Sequence, residues 1–326
     1  MLGKINVGIM GTGNIAGTMA DTVNKMRGVR CYAAASRTQE KAEAFGAAHG
    51  IKKCYGSYEE MLQDKKVDLV YIATPHAMHY ENAKLCISYG KPVLCEKAFT
   101  ANAAQAEEVL RLAEEKGVLV AEAMWIRYMP FYRTIREVLD SGMIGEVRVV
   151  SANLGYVIEK VSRLTDPWLA GGALLDLGVY TINFASMILG TEIEKVSSSC
   201  DLLPSGVDRQ ESITLHYKNG AMAVLHASMA VQSDRIGSIC GTKGYAVVEN
   251  INNFASMTVY DSSYKKVACY KAPKQISGYE YEVEACVKAI KEGFVQCPQM
   301  PHAETLRIMR LMDMLREQWG VKYPFE

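Results

Sequence analysis

The sequence reads Gly11-Thr12-Gly13-Asn14-Ile15-Ala16 directly after the apolar run Lys4–Met10. In such a stretch the first glycine permits a tight turn, the second lets the main chain approach a pyrophosphate, and the small third residue lets a helix pack on the strand. The N–H groups at the start of that helix then point at the phosphates. Because the motif stands between a strand pattern and a helix pattern, we predict a phosphate-binding loop rather than a glycine turn without a ligand. The residues expected to contact the phosphates are Gly11, Gly13, Asn14 and Ile15.

The end of the second predicted strand indicates which dinucleotide is bound. Sites for NAD usually hold the ribose hydroxyls with an acidic residue about 20 residues after the glycine motif. This chain instead reads Ala35-Ser36-Arg37-Thr38, and Asp21 falls inside the preceding helix pattern. An arginine pairs well with a 2′-phosphate, and a serine hydroxyl can donate a hydrogen bond to it. We therefore predict NADP as the cofactor, held by Ser36 and Arg37, with NAD as the alternative.

Residues 1–123 alternate strand and helix patterns. The apolar or β-branched runs are Lys4–Met10, Val29–Ser36, Val67–Ala73, Pro92–Glu96 and Val118–Ala121. The helix patterns between them are Thr38–His49, Ser57–Gln63, Ala77–Tyr89 and Asn102–Lys116. Strand–helix–strand repetition is typical of a doubly wound parallel sheet, so residues 1–123 are predicted to form a Rossmann domain that binds NAD(P). We expect Ser57 and Asn102 to be helix N-caps and Gly90 and Gly117 to end helices.

The second part of the chain follows a different pattern. After the amphipathic stretch Arg127–Ser141, strand patterns follow one another directly at Val147–Leu154, Ser212–Tyr217, Ala221–Met229, Ile236–Cys240, Tyr245–Glu249 and Met257–Tyr260. Asn219-Gly220 is typical of a hairpin turn, and Gly241–Gly244 indicates another. Successive hairpins predict an open, mostly antiparallel sheet. The fold class is therefore α/β, with a C-terminal α+β domain at residues 124–326 that ends in helices at Tyr281–Gly293 and Ala303–Gln318.

The bulk composition narrows the function classes. Over 326 residues, 36 Lys and Arg balance 36 Asp and Glu, so no affinity of the whole protein for nucleic acid or a membrane surface is indicated. The apolar run Ala173–Gly190 contains polar residues such as Asp176 and predicts a buried helix rather than a membrane span. No N-terminal targeting pattern is visible. The nine cysteines include no C-x-x-C pair, so we expect reduced thiols and a cytoplasmic location.

Chemically reactive side chains gather at the ends of the predicted parallel strands. Thr74–His79 follows one strand, Glu96 and Lys97 end the next, and Glu122–Arg127 follows the last. The carboxyl ends of parallel strands are where ligands bind in this architecture. Another group lies in the second part of the chain, where Gly172, Asp176 and Tyr180 are spaced four apart, so that a helix would carry them on one face.

A metal site is the other chemistry that histidines could supply. His76 and His79 are three residues apart, a spacing that allows two ligands on one face of a helix. Zinc requires a third and usually a fourth protein ligand, and none is suitably spaced nearby. We predict no metal ion.

With these residues in view, the chain resembles the Gfo/Idh/MocA family of oxidoreductases over essentially its whole length. Within that family it is most similar to the branch of dimeric dihydrodiol dehydrogenases, also described as NADP-dependent D-xylose dehydrogenases. The resemblance rests on Glu122–Pro130, Gly171–Asn183 and Met300–Leu315. The family's Glu-Lys-Pro motif is matched at Glu96 and Lys97, with Ala98 in place of the proline. The family's histidine four residues after the motif aspartate is replaced here by a tyrosine, as in that branch.

The resemblance implies a role for each of these residues. It places Lys97, Asp176 and Tyr180 in catalysis. Free tyrosine has a pKa near ~10, and a nearby ammonium group favours the phenolate, so a lysine would help a tyrosine exchange a proton with substrate. Asp176 would bind substrate hydroxyls or orient the lysine. The resemblance also implies that the nicotinamide end of the cofactor lies near Thr74, His76, His79, Glu96 and Lys97, and that the substrate pocket is lined by Trp125 and Arg127.

Two functions from different classes remain open at this point. The first is an NADP-dependent oxidoreductase that transfers a hydride between the nicotinamide and a secondary alcohol, such as a sugar or dihydrodiol, or the carbonyl in reverse. The second is a non-catalytic dinucleotide-binding sensor on the same scaffold. The presence of Lys97, Asp176 and Tyr180 together favours the first. We also expect a homodimer or larger homo-oligomer through the C-terminal sheet, because apolar alternation around Ala221–Val231 indicates a face that needs a cover.

Overall fold

A computed structural model describes residues 4–326, which fold into two compact units. Unit 1 comprises residues 4–128 together with Gln275–Met309. Unit 2 comprises Met129–Lys274 and Arg310–Glu326. Both units are therefore built from two separate pieces of the chain.

The strands form two separate sheets. They are β1 Ile5–Met10, β2 Val29–Ala35, β3 Lys53–Tyr55, β4 Leu69–Ile72, β5 Val93–Glu96, β6 Val120–Ala123, β7 Val147–Gly155, β8 Ile193–Leu202, β9 Asp208–Tyr217, β10 Met222–Ser228, β11 Gly237–Gly241, β12 Gly244–Glu249, β13 Ser256–Asp261 and β14 Lys266–Lys271. The first six form the sheet of unit 1, in the order β3-β2-β1-β4-β5-β6 with every pairing parallel. This order is that of a Rossmann fold, as predicted.

Apart from one short helix of four residues, the helices also follow the predicted order. They are α1 Asn14–Lys25, α2 Gln39–His49, α3 Tyr58–Gln63, α4 His76–Ser88, α5 Ala103–Lys116, α6 Phe131–Asp140, α7 Ser162–Thr165, α8 Val179–Leu189, α9 Glu280–Glu292 and α10 His302–Trp319. The predicted N-caps are confirmed, since Ser57 accepts a hydrogen bond from Glu60 N and Asn102 accepts one from Gln105 N. Gly90 and Gly117 end α4 and α5 with positive φ angles of 66° and 63°.

Unit 2 contains an eight-stranded sheet in the order β14-β13-β12-β11-β7-β10-β9-β8. Its pairings are antiparallel except that between β7 and β10, so the prediction of a mostly antiparallel sheet is confirmed. The Asn219-Gly220 hairpin joins β9 to β10, where Asn219 Oδ1 accepts a hydrogen bond from Ala221 N and Gly220 has φ +80°. The turn between β11 and β12 also forms where the glycines predicted it.

Three strands have no counterpart in the sequence-based prediction. β3 has only three residues, too few for a periodic pattern. β8 and β14 are the two outer strands of the sheet in unit 2. Outer strands carry polar side chains because one edge faces solvent, and β8 includes three consecutive serines. Pairing with β8 also lengthens β9, which begins at Asp208 instead of the predicted Ser212.

The apolar run of unit 2 is a buried helical segment. It contains a π-helical turn at Leu174–Gly178 that leads directly into α8. The stretch Pro167–Leu189 is long and apolar enough to cross a membrane, but 89% of its most apolar window is buried inside the structure. A core helix of a folded unit has the same length and composition, so this stretch is weak evidence for a membrane span.

The grouping of residues 275–309 differs from the division at residue 123 that was predicted from sequence. Main-chain and side-chain contacts attach this segment to the Rossmann unit. Val120 N donates to Val295 O at 3.0 Å, and the ring nitrogen Nε2 of His302 lies 2.9 Å from Val120 O. The side chains of Thr22 and Ser277 share a hydrogen bond of 2.8 Å. Alternating strand and helix patterns cannot reveal such a returning segment.

Candidate active site

The glycine loop after β1 has the shape that a bound pyrophosphate requires. Gly11 has φ +104°, and a Cβ there would lie 2.8 Å from Ala73 O, so only glycine fits. Gly13 is the N-cap of α1 and provides no side-chain cap, while a Cβ on it would meet no described atom within 4 Å. No side chain therefore caps the first N–H groups of α1, which begins with Asn14 and Ile15, and uncapped N–H groups at a helix start suit an anion. The residues present fit a dinucleotide.

The chain after β2 presents a positive charge and no carboxylate. Ser36 is buried, and its main-chain N donates to Tyr55 O at 3.2 Å. Arg37 is exposed and lies close enough to Tyr58 to lower the pKa of its phenol, although burial of Tyr58 raises that pKa more strongly. The hydroxyl of Thr38 accepts a hydrogen bond from Lys41 N and so begins α2. This arrangement leaves the Arg37 guanidinium accessible to a phosphate.

The turn after β4 is fixed by a buried histidine. The two ring nitrogens of His79 lie 2.8 Å from Ala98 O and from Thr74 O. Burial lowers the pKa of His79, which is fully enclosed. Asn82 also donates to the Thr74 hydroxyl at 3.0 Å, and His76 lies next to His79 with 5.8 Å between ring centroids. The turn at Thr74 and the turn at Ala98 are thereby held together.

Lys97 follows a buried carboxylate at the end of β5. Glu96 accepts hydrogen bonds from the Tyr71 hydroxyl and from the main-chain N of Lys97, the latter at 3.2 Å. Burial and the charge of Glu96 raise the pKa of Tyr71 well above its usual value, so Tyr71 remains a donor. Lys97 itself is half-buried, and the Lys97–Ala98 peptide bond is cis.

The two residues predicted to line the substrate pocket have partners inside unit 1. Trp125 stacks on Tyr279, with ring centroids 4.1 Å apart and planes within 6° of parallel. Arg127 pairs with Glu304, a carboxylate that also binds Arg307 at 2.7 Å. Both side chains are largely buried, with Trp125 only 6% exposed. Their assignment to the substrate pocket stays a prediction.

A further carboxyl, Glu122, lies beneath these residues at the end of β6. It is 2% exposed, and Thr305 donates a hydrogen bond of 2.9 Å to it. Burial raises the pKa of Glu122 to about 7, even though the Thr305 hydrogen bond and the charge of Arg127 lower it. The sequence placed Glu122 in the segment after the last predicted parallel strand but indicated no role for it, because a single sequence does not reveal how deeply such a residue is buried.

The remaining predicted residues lie in unit 2, on one continuous helical segment. Asp176 is in the π-helical turn and Tyr180 is in the first turn of α8; they are 6% and 7% exposed. Arg163 Nη1 donates to Asp176 Oδ1 at 3.2 Å, a partner that the sequence did not indicate. The expectation that Gly172 lies on this helix is wrong. Gly172 precedes the helix, because its φ of +123° is not helical, and a Cβ there would collide with the Asp208 carboxylate.

Within residues 4–326 the structure contains no group of three or more His, Cys, Asp or Glu side chains placed to hold a metal ion. All nine cysteines are unpaired thiols. The expectations of no metal and of a cytoplasmic location stay predictions. In unit 1 the structure brings the predicted cofactor residues to one edge of the parallel sheet, where β1, β2, β4 and β5 all end.

Comparison with known protein families matches both parts of the chain. The family described as "Oxidoreductase family, NAD-binding Rossmann fold" matches residues 5–124. The family described as "GFO/IDH/MocA C-terminal domain" matches residues 132–247. The first matched range lies entirely in unit 1 and the second entirely in unit 2.

Individual proteins are similar over nearly the full length. A trans-1,2-dihydrobenzene-1,2-diol dehydrogenase of Xenopus laevis is 34% identical over 325 residues, covering 97% of this chain and 98% of the relative. The Homo sapiens protein of that name is 33% identical over 90% of this chain and 89% of its own length. Among solved structures, a 3-ketoreductase from Actinomadura kijaniata in complex with NADP and TDP-benzene has a TM-score of 0.88 at 25% identity, with coverage of 96% and 97%. An aldose-aldose oxidoreductase from Caulobacter crescentus shares the fold, with a TM-score of 0.87 at 22% identity and the same coverage.

The buried Glu122 carboxyl predicts a pH dependence of stability. Because its pKa is raised from 4.5 to about 7 in the folded protein, the folded state holds a proton that the unfolded chain releases between these values. The free energy of unfolding should therefore fall as pH rises from 4.5 to 7, by up to about 3 kcal/mol for this group. Glu122→Gln should remove that slope and be more stable than wild type at pH 8, as measured by urea unfolding. The exposed Glu59→Gln variant is the control, and equal slopes in wild type and Glu122→Gln would contradict the assignment.

Proposed function

The chain belongs to the GFO/IDH/MocA oxidoreductase family, and from this premise we propose that it catalyses NADP-dependent hydride transfer at a secondary alcohol of a sugar or dihydrodiol, or at the corresponding carbonyl. The chain is an NAD(P)-dependent oxidoreductase by its family and by relatives named as dehydrogenases over nearly the whole length. The preference for NADP and the roles of individual residues are our proposal. The observation that carries the proposed use of a dinucleotide is the glycine loop, in which only glycine fits at Gly11 and no side chain caps the helix that follows.

The proposed preference for NADP rests on the end of β2. The exposed Arg37 guanidinium offers several N–H donors and a fixed positive charge, both suited to the 2′-phosphate. The sequence Ala35-Ser36-Arg37-Thr38 has no carboxylate that would hold the two free ribose hydroxyls of NAD. The solved 3-ketoreductase of similar fold contains NADP, which agrees with this assignment.

The proposed proton chemistry uses Lys97 and Tyr180. When bound, the nicotinamide accepts the hydride from the alcohol or returns it to the carbonyl. Removal of the hydride from a hydroxyl-bearing carbon makes the hydroxyl acidic, and we assign its proton to the Tyr180 phenolate oxygen. An ammonium group favours the phenolate form of a tyrosine, which is the role assigned to Lys97. In the reducing direction Tyr180 gives its proton to the carbonyl oxygen.

Asp176 is assigned to binding substrate hydroxyls. Its carboxylate is 6% exposed, and it needs a partner at such burial, which Arg163 provides at 3.2 Å. This hydrogen bond to Oδ1 restricts the orientation of the Asp176 carboxylate. Glu96 and the turn held by His79 are assigned to positioning Lys97, and Trp125 and Arg127 to the wall of the substrate pocket.

Replacing the proton donor tests the catalytic assignment directly. Tyr180→Phe removes only the hydroxyl, so kcat should fall by about 10²–10⁴-fold, the usual contribution of an acid–base group. Lys97→Met should give a loss of the same order. The protein is mixed with NADP+ and a panel of pentoses, hexoses, polyols and a trans-dihydrodiol, and turnover is measured as the increase in NADPH absorbance. Titration of NADPH binding to Tyr180→Phe is the control, since unit 1 is unchanged in that variant.

The outcome of this experiment tests the role of Tyr180 and distinguishes the enzymatic function from the sensor function. Undiminished turnover in Tyr180→Phe would refute the role of its hydroxyl. If wild-type protein binds NADPH but turns over no compound in either direction, the sensor function replaces the enzymatic one for the substrates tested.

The cofactor preference depends on Arg37. Arg37→Ala should raise the KM for NADP about 10–100-fold, because a charge-assisted hydrogen bond contributes roughly 1.5–3 kcal/mol. The KM for NAD should change little, since NAD lacks the 2′-phosphate. Arg27→Ala removes the same charge from an exposed position before β2, at the opposite end of that strand, and serves as the control. An unchanged ratio of NADP to NAD affinity in Arg37→Ala would disprove the assignment.

We also propose that the chain forms a homodimer through the sheet of unit 2. On β10 the side chains of Ala223, Leu225 and Ala227 are buried, whereas the alternating Val224 is 39% exposed. A partner copy would cover this opposite face. Val224→Lys should then convert a dimer to a monomer in analytical ultracentrifugation, while Val157→Lys, in an exposed loop position, should not. A wild-type protein that sediments as a monomer at micromolar concentration would refute the proposal.

A further inference from the structure

Two carboxyl groups are buried together on β9, beneath the helical segment that carries Asp176 and Tyr180. Asp208 is fully buried and Glu211 is 4% exposed. Sequence reasoning assigned no role to either, and neither takes part in the proposed proton transfer. Buried carboxyl groups are costly unless they are paired or uncharged, so each requires a physical explanation.

The burial of Asp208 is explained by its contact with the start of the helical segment. Its Oδ2 accepts a hydrogen bond of 2.5 Å from Leu174 N, and the main chain of Ala173 lowers its pKa as well. Burial outweighs these donors and raises the pKa of Asp208 to about 6. The Asp208 carboxyl group caps the helix start, where main-chain N–H groups lack partners within the helix.

Glu211 has no such donors. Neither of its carboxyl oxygens accepts a hydrogen bond from any group in residues 4–326. Burial, and then the charge of Asp208, raise its pKa well above the usual value. Cys200 is the residue opposite Glu211 on the neighbouring strand β8. The pKa of the Cys200 thiol is also raised, to about 11, and burial is the largest cause. The surroundings of Glu211 therefore favour the uncharged acid.

The Glu211 carboxyl lies against the main chain at Gly178, the last residue of the π-helical turn. A Cβ at Gly178 would collide with Glu211 Oε1 and would also lie 3.1 Å from the Leu174 side chain. The missing side chain thus leaves a notch that the carboxyl fills. Asp176 precedes this notch by two residues and Tyr180 follows it by two. π-Helical turns are rare and occur frequently at functional sites.

We propose that Glu211 is a positioning residue whose carboxylic acid, seated in the notch at Gly178, fixes the π-helical turn and thereby the directions of Asp176 and Tyr180. The inference rests on the proposed function for the roles of those two residues. Its physical basis is that a displacement of about 1 Å in a reacting group can cost 10²-fold in rate.

Three variants test the proposal. Glu211→Gln keeps the shape of the side chain without a charge, so kcat should stay close to wild type. Glu211→Ala should lower kcat by about 10–100-fold while NADPH affinity, a property of unit 1, is unchanged. Gly178→Ala should also lower kcat, because its Cβ displaces the carboxyl. The double variant Gly178→Ala/Glu211→Ala should be no worse than Glu211→Ala alone, since the two substitutions act on the same space.

A spectroscopic measurement gives an answer that does not depend on turnover. The infrared difference spectrum of wild type minus Glu211→Gln at neutral pH should contain the C=O band of a protonated carboxylic acid. A carboxylate band in its place would overturn the proposal, as would a Glu211→Gln variant as inactive as Glu211→Ala, or full kcat in Glu211→Ala. If wild type turns over no substrate, the proposed function fails, whereas the infrared band still decides the state of Glu211.

Discussion

The parallel pairing of six strands is the constraint on which the nucleotide-binding half depends. Because parallel strands all end at the same edge, residues far apart in sequence, such as Gly11, Arg37 and Lys97, follow strands that end side by side. The close approach of Gly11 to Ala73 O shows how tightly that edge is packed, since no other residue fits there. His79 and Glu96 then fix the turns between strand ends through buried hydrogen bonds. The sheet brings the residues together, and the buried polar groups orient them.

Much of this arrangement could be predicted from the sequence, because the signals are local. The glycine loop, the caps at Ser57 and Asn102 and the Asn219-Gly220 hairpin each depend on neighbouring residues alone. The features that the sequence did not reveal depend on residues that are distant along the chain. The three-residue β3 and the serine-rich β8 are strands only because of their partners. Arg163 was not singled out for the same reason, as its contact with Asp176 crosses a loop.

The buried carboxyls show why residue type alone does not fix a role. Asp208 and Glu211 are three residues apart on one strand, and both are raised in pKa by burial. Asp208 accepts hydrogen bonds from main-chain N–H groups, which limit the rise in its pKa, whereas Glu211 lies against a glycine and has no such donors. Glu122 accepts a hydrogen bond from the Thr305 hydroxyl, and its pKa of about 7 lies between those of Asp208 and Glu211. The number of donors around each carboxyl distinguishes the three.

Because unit 1 is built from two separate segments of the chain, it can be completed only late in synthesis. Unit 1 is completed by Gln275–Met309, which includes α9 and hydrogen-bonds to β6 through Val295 and His302. A ribosome must therefore make most of the polypeptide before the nucleotide-binding half has all its parts, whereas most of unit 2 is already complete. Until then the apolar surface that α9 covers is exposed, and chains that stall or are cut before residue 275 are candidates for chaperone binding or degradation. Truncation after residue 128 would accordingly give an incomplete folding unit rather than an autonomous domain.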